Sequence, residues 1–285
     1  MSERTVHMFD ELNPDEKHYL RLVTTAGLAL FAAAAGIMIY RLWLAGQFSA
    51  QKWSPLLNPS DKNFTLIWKF LGTGLQATFS AAVASIILSG IAAVGFAAIV
   101  YLGGNVTSKV TRGFTNVVRA TPLLLIIFFT ARILPEYGMA TTEFGYLVLA
   151  LTIFNGAIMA EALRGGLKAV PAGQSEAAAA LGLSRWTTFT RVMLPQAVRI
   201  VLPVLITQSV VVIQATSLGF IISYEELLRR AQIAVQSLHN PLQLFFVVGC
   251  IYVLISIGVA RLLAALLLGE RVFRMSRHHE KLLAS

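Results

Sequence analysis

The side chains of this sequence with chemistry to offer are polar groups set inside long apolar runs. Arg132, Asn155, Gln208, Gln214, Thr216 and Ser217 all stand in such runs. Charges and amides in hydrocarbon are costly, so they mark either a transit path or contacts between helices. Amides offer donors and acceptors without fixing a charge, which suits a small solute carrying charges of both signs. Each residue also has a plainer reading. Arg132 lies near the end of its run and can snorkel. Asn155, Gln208 and Gln214 can tie helix to helix, and Thr216 and Ser217 can bond their own backbone. Gln208 and Gln214 are six positions apart, about 600° of rotation in a helix, so they point to different faces. Gln214, beside Thr216-Ser217, is the one expected to share a site with Asn155.

A second group stands outside the apolar runs. Glu161 and Arg164 are three apart, on one helix face, and are expected to pair. With Arg119 and Pro122 they read as gate or structural residues. Ser175 to Gln196, SEAAAALGLSRWTTFTRVMLPQ, is mixed and polar where its surroundings are apolar. Glu176 opens a run of alanines, Ala177 to Ala180, and Gly182 follows. Alanine is the best helix former, and glycine takes the left-handed conformation that ends a helix. Ser184 can cap a second helix through its hydroxyl, which is expected to end near Leu194-Pro195. Glu176 is expected to act on its helix N-terminus or to bond neighbouring backbone.

The pattern excludes covalent chemistry more than it offers it. Gly165-Gly166-Leu167-Lys168 lacks the spacing of a phosphate-cradling loop. No His or Cys pair stands at metal-ligand spacing, and no nucleophile has a partnered base. His278-His279 reads as solvated. The single cysteine, Cys250, rules out an intramolecular disulfide. No cofactor is expected on this chain, and any driving ATP would have to be hydrolysed elsewhere.

These residues need long apolar elements to position them, and the composition supplies them. Of 285 residues, 56% are hydrophobic and only 13% charged, with mean hydropathy +0.70. A soluble domain carries about 25% charged residues, so the chain is all-α and membrane-embedded. Six spans are expected, each near the roughly 20 residues that cross hydrocarbon: 22–44, 71–102, 122–134, 144–160, 201–222 and 242–268. Residues 1–21 form a polar N-terminus with no cleavable signal, 22–66 an extra span and outer loop, 67–268 a core with a loop at 161–198, and 269–285 a basic tail. With the N-terminus inside, 15 of the 23 Lys and Arg fall in inner segments and 5 in outer ones. The net charge of +9 then reflects basic cytoplasmic loops, and the loop carrying Glu176 is cytoplasmic.

An alanine-rich helix, a glycine and a serine-started helix are also how a DNA-binding helix-turn-helix reads. A pair tethered at both ends to a bilayer is badly placed to enter a groove, so no nucleic acid partner is expected. The stretch Glu176, Ala177, Ala178, Gly182, Val192, Leu194, Pro195 resembles the EAA loop of ABC-importer permeases, with Val192 where isoleucine is commoner. Arg119-Ala120-Thr121-Pro122-Leu123-Leu124, Ala160 to Leu167 with Val170-Pro171 and Gly173-Gln174, Thr216-Ser217-Leu218 and Glu226-Leu227-Leu228 resemble segments of the polar amino acid permeases, over about residues 72–268. The resemblance is nearest to permeases for acidic amino acids such as glutamate.

That resemblance implies a five-helix core plus an N-terminal helix in the bacterial inner membrane, both termini cytoplasmic. It implies a second permease, identical or homologous, an ATP-binding subunit holding ATP and Mg²⁺, and an extracytoplasmic substrate-binding protein. Glu176, Ala177, Ala178, Ala179, Gly182, Leu194 and Pro195 would couple the chain to the ATPase. Arg132 would add a cation for an acidic cargo. The runner-up is a secondary transporter or channel-like protein, which has no reason to carry a docking loop. A membrane-anchored DNA-binding regulator would need a freely exposed domain, and the sequence has none.

Overall fold

The structure is a computed structural model describing the backbone of residues 14–283 and the side chains of residues 19–267. The N-terminal segment through residue 13, and His278-His279 with the basic side chains of the tail, lie outside what it describes.

Among the described residues eleven α-helices follow one another: α1 Pro14–Leu44, α2 Ala50–Leu57, α3 Phe64–Leu102, α4 Asn105–Ala120, α5 Leu123–Ile133, α6 Glu143–Ala169, α7 Ala172–Ala180, α8 Arg185–Thr187, α9 Leu194–Ala215, α10 Leu227–Leu238 and α11 Pro241–Leu283. Five helical stretches of the described residues are long and apolar enough to cross a membrane: Tyr19–Leu44, Phe64–Leu102, Glu143–Ala169, Arg185–Ile222 and Pro241–Leu267. A sixth is broken, with Asn105–Ala120 and Leu123–Tyr137 meeting at 103°. The all-helical expectation therefore holds, and five spans stand as single helices where six were expected, the remaining one being the bent α4–α5 pair.

The third expected span, 122–134, is an 11-residue helix closed by a 3-10 turn at Leu134–Tyr137. The basic stretch between the expected spans 71–102 and 122–134 is α4. The break falls at Thr121-Pro122 because proline brings no N–H and disfavours helical backbone in the residue before it. Thr121 accordingly has φ −83 and ψ 132. The helix expected to end near Leu194-Pro195 does not end there. A π-turn at Thr188–Met193 joins α8 to α9. The Leu194 N–H reaches back to the Phe189 carbonyl, and Pro195 sits in the first turn of α9, where its missing N–H costs little. Two segments read as plain connectors, the outer loop and the stretch before α11, contain α2 and α10.

The core is built on close helix approach. Ala81, Ser85, Ser89, Ala93 and Ala97 recur every fourth residue of α3 and are all buried. This stripe faces α6, where a Cβ added at Gly156 would stand 3.0 Å from the Ala92 Cβ. A Cβ at Gly166 of α6 would meet the Ala197 carbonyl oxygen of α9 at 2.8 Å. Lipid tails are as apolar as leucine, so such small residues stabilise by van der Waals packing rather than by leaving water. One cluster joins Ala93, Ala97, Leu163, Phe189 and Ala197 at the end carrying α7. A second joins Ala81, Ile127, Leu147 and Leu151, seating α5 on α6. A third, with Leu56, Leu71, Leu227, Ala231 and Leu244, gathers α2, α3, α10 and α11 at the opposite end.

The segment between α1 and α3 is fastened to that third cluster. Gln243 of α11 donates to the Gln47 carbonyl at 2.6 Å, Asn240 to the Lys52 carbonyl at 3.0 Å, and Trp68 to the Leu56 carbonyl at 3.1 Å. The described side chains of α1 itself are not buried against the rest of the chain.

Candidate functional site

The α7–α8 turn stands outside the spans, and local sequence builds it. α7 begins at Ala172 with Pro171 as its cap residue. Glu176 therefore lies one turn inside the helix rather than opening it, and its side chain is exposed. The carboxylate is not engaged with the helix N-terminus. The helix ends as Gly182 takes φ +70. The Leu183 N–H donates to the Ala178 carbonyl at 3.1 Å and the Gly182 N–H to the Ala179 carbonyl at 2.9 Å. This pair of reversed bonds is the Schellman arrangement, which satisfies carbonyls the helix end would leave open. Ser184 Oγ then accepts from the Thr187 N–H at 3.2 Å and starts α8, as its position suggested.

The turn presents an apolar tip to solvent. Ala177, Ala179, Ala180 and Leu183 are exposed, Leu181 is 79% exposed and Trp186 59%, while Ala178 is buried. Of the predicted coupling residues, Glu176, Ala177, Ala179 and Gly182 share this surface. Leu194 and Pro195 lie at the start of α9, beyond the π-turn, and Leu194 packs on the cluster below.

Contacts not foreseen from the sequence fasten the tip to the bundle. Arg185 Nη2 donates to the Tyr101 carbonyl at 2.8 Å, placing a cation on the C-terminal end of α3, where the helix dipole favours it. Tyr101 and Phe189 pack as tilted rings with centroids 5.2 Å apart, and Trp186 and Phe189 likewise at 6.1 Å. Gln196 Nε2 bonds the Gln174 amide oxygen at 3.3 Å, tying α9 to α7. The one sequence signal was an arginine and two aromatics among polar residues in a stretch too short to bury them.

Glu161 and Arg164 form the expected pair. The Arg164 Nε donates to Glu161 Oε2 at 2.8 Å, and Nη2 closes a second contact to Oε1. Arg119, at the end of α4, and Lys168 lie near enough for their charges to act on the same carboxylate. Pro122 marks the α4–α5 bend.

The interior amides pair differently from expectation. Asn155 is fully buried. Its Oδ1 accepts from Gln208 Nε2 at 2.7 Å, and its Nδ2 donates to the Leu151 carbonyl at 2.8 Å. Asn155 and Gln208 thus form a bond between α6 and α9. Gln214 faces another way, as the six-residue spacing requires, and donates to Ser256 Oγ on α11 at 3.2 Å. It lines an open groove of ≈ 470 Å³ with Ser217, Leu228, Phe245 and Tyr252. Asn155 and Gln214 do not share a site here. Thr216 and Ser217 donate to the carbonyls of Ile213 and Gln214, on their own helix. Arg132 is exposed, its guanidinium 5.8 Å from the Phe128 ring centroid.

At the far end Glu226 is fully buried. It caps α10, accepting from the Leu228 N–H at 2.8 Å, the Arg229 N–H at 2.6 Å and the Tyr252 hydroxyl at 2.6 Å. Burial pushes its carboxyl above the ordinary value, more than these bonds pull it down. A Glu before an apolar helix read as family pattern, and its burial left no mark in the sequence. No group of three or more His, Cys, Asp and Glu able to hold a metal occurs among the described residues.

Comparison with known proteins bears on the whole arrangement. Residues 85–274 match the family described as binding-protein-dependent transport system inner membrane component. The chain is 32% identical over 246 residues to the glutamate transport system permease protein GluD of Corynebacterium glutamicum, covering 84% of this chain and 86% of that one. It is 38% identical over 164 residues to the probable glutamine ABC transporter permease protein GlnP of Bacillus subtilis, covering 58% and 75%. Among solved structures, the crystal structure of an amino acid ABC transporter with histidines superposes with TM-score 0.65 at 25% identity, over 73% of this chain and 97% of that one. An inward-facing form of the MetNI methionine ABC transporter, at 14% identity and TM-score 0.58, shares the fold.

Proposed function

Because this chain belongs to the family of binding-protein-dependent transport system inner membrane components, we propose that it is the translocating subunit of an ABC importer for polar amino acids, with glutamate the leading candidate cargo. The names of the relatives support the substrate class, and the glutamate permease is matched over most of both chains. ATP and Mg²⁺ belong to a separate ATP-binding subunit. A second permease, identical or homologous, and an extracytoplasmic substrate-binding protein complete the assembly. Both termini and the α7–α8 turn face the cytoplasm, in accord with the distribution of Lys and Arg.

The observation that carries this reading is the exposed apolar tip of Ala177, Ala179 and Leu181 on a turn rigidified by Gly182 and Ser184. Apolar side chains held out on a defined turn, away from the spans, fit a partner groove better than water. The Glu176 carboxylate on the same helix adds a polar contact. Arg185, Phe189 and the α8–α9 continuity join the tip to α3 and α9. Displacement of the tip by the ATPase would therefore move both helices. Alternating access follows if that motion opens one side of the bundle as it closes the other. Glu161, Arg164 and Arg119 lie at the end of the bundle nearest the tip and form the inner gate.

The test uses the assembled complex in proteoliposomes. ATP-dependent glutamate uptake that requires the substrate-binding protein is expected. Cysteine at Ala179, in a Cys250→Ser background, is expected to crosslink to the ATP-binding subunit. Uptake undiminished without ATP, or labelling of that cysteine by an impermeant reagent from outside intact cells, would overturn the coupling or the orientation respectively.

A further inference from the structure

Helix α4 has three faces of different chemistry, and its apolar outward face is not covered by the described residues. At about 100° per residue, Ser108, Thr115 and Val118 share one face and are buried. Ser108 Oγ donates to the Val100 carbonyl of α3 at 3.0 Å, and Phe114 lies 5.8 Å from Phe96. The opposite face carries Val106, Val110 and Val117, which are 75%, 66% and 67% exposed. Between the two lies a sector with Lys109 and Arg112, both exposed; Arg112 Nε also donates to the Ser108 carbonyl at 3.0 Å, at the edge of a cleft with Glu161 and Arg164, and Arg119 stands beside Glu161. The helix contains no acidic residue, and neither ion pair found among the described residues involves Lys109 or Arg112.

The fold sets the direction of this helix. α5 is seated on α6 through Ile127, Leu147 and Leu151. α4 turns 103° away from it, so α4 runs across the bundle rather than along it. It does so beside Ala97, Val100, Ala160 and Arg164, at the end that carries α7. A helix lying across a bundle with an outward apolar stripe and an adjoining cationic sector matches the chemistry of the headgroup layer. Its stripe can meet acyl chains while its cations meet phosphate.

We propose that α4 is an in-plane helix that seats anionic phospholipid, with headgroup phosphate on Lys109 and Arg112 and acyl chain along Val106, Val110 and Val117. That the leaflet is the cytoplasmic one rests on the orientation proposed above; the lipid site itself does not. Charge complementarity decides the occupant. A purely apolar partner face, such as the same stripe on a second copy, would leave Lys109 and Arg112 without an anion along its edge.

The full-length chain, purified with its associated subunits, carries a bimane label at Val110→Cys in the Cys250→Ser background. In nanodiscs, brominated phosphatidylglycerol is expected to quench the label several-fold more than brominated phosphatidylcholine at equal mole fraction. Lys109→Gln with Arg112→Gln should abolish the preference, at roughly fivefold per charge removed, and Lys109→Arg should retain it. Equal quenching by both lipids would overturn headgroup recognition. Absent quenching would overturn the site, and a crosslink between two unlabelled copies of the Val110→Cys variant would identify the stripe as a permease–permease contact. Both nanodisc leaflets carry the same lipid, so an error in orientation leaves this result unchanged and shows itself only in the labelling at Ala179.

Discussion

Arg185 donates to the carbonyl of Tyr101, 84 residues earlier in the chain, at 2.8 Å. This bond joins the first residue of α8 to the last turn of α3, the helix that packs along α6 through the bundle. A turn meant to pass motion inward must be tied to what it moves, and this bond is a polar tie between them. The tilted aromatic cluster of Tyr101, Phe189 and Trp186 supplies the apolar part.

Arg185→Ala is therefore expected to separate hydrolysis from transport. A hydrogen bond from a charged donor is worth about 1.5–3 kcal/mol, and solvent exposure at this site puts the loss at the low end. The complex should still assemble, because the tip residues are untouched. Uptake should fall several-fold while ATPase activity is kept, measured in the same proteoliposomes. Equal loss of both activities would make Arg185 a determinant of assembly instead.

Gly182 gives a sharper expectation. Space is free around it, since an added Cβ would have no neighbour within 4 Å, so a substitution meets only backbone strain. At φ +70 an L-residue costs roughly 1–2 kcal/mol, and a β-branched one more. Gly182→Val should reduce uptake and crosslinking from Ala179, Gly182→Asn should be tolerated, and both proteins should insert normally. A valine variant with unaltered uptake would show that the turn conformation does not matter.

The turn was legible because it depends on local rules. Alanines, a glycine and a serine specify helix, left-handed stop and cap within about ten residues. The α4–α5 bend was missed although Pro122 announced it, because a basic stretch beside an apolar run reads as loop plus span. In fact its apolar positions face outward rather than toward the bundle. The pairing of Asn155 with Gln208, 53 residues apart, was not legible at all. Helix spacing tells which residues of one helix share a face, and it correctly separated Gln208 from Gln214. It says nothing about which face a second helix offers. Glu226 was invisible for the same reason, since its burial comes from α3 and α11 closing over a connector.

The Asn155–Gln208 bond yields a test of what these amides do. Asn155→Leu or Gln208→Leu alone leaves a buried amide without its partner, a cost of about 1–3 kcal/mol in water-soluble cores and nearer 0.6 in membrane bundles. If the pair is a tie between α6 and α9, the double leucine variant should recover thermal stability and uptake beyond either single one. If the amides meet the cargo, the double variant should be the worst for uptake while it regains stability. Unfolding in detergent and uptake in liposomes, measured across the cycle, separate the two.

Two carboxyls outside the spans give opposite pH dependences. Burial holds Glu226 above its ordinary 4.5. The folded protein therefore keeps a proton there that the unfolded chain has released, and stability falls as pH rises from about 4.5 through the raised value. Asp61 accepts from the Asn63 N–H at 2.9 Å and the Ser54 hydroxyl at 2.7 Å, bonds that hold it below its ordinary 3.8. Its contribution is present above that value and is lost as pH falls. Glu226→Gln should flatten the loss of stability with rising pH, because a neutral side chain has no proton to lose. Its one acceptor oxygen can keep the Leu228 N–H and the Tyr252 hydroxyl, which share Oε2, while the Arg229 bond to Oε1 is given up, so α10 keeps one capping bond. Asp61→Asn should lower stability at neutral pH, where the ionised carboxylate contributes, and should converge on wild type as acid protonates Asp61. The measurement is the unfolding midpoint of the three proteins from strongly acidic to neutral pH. A wild-type midpoint that rises steadily with pH, unchanged by Glu226→Gln, would mean that Glu226 is ionised at its ordinary value and that burial at the head of α10 is offset by its three hydrogen bonds.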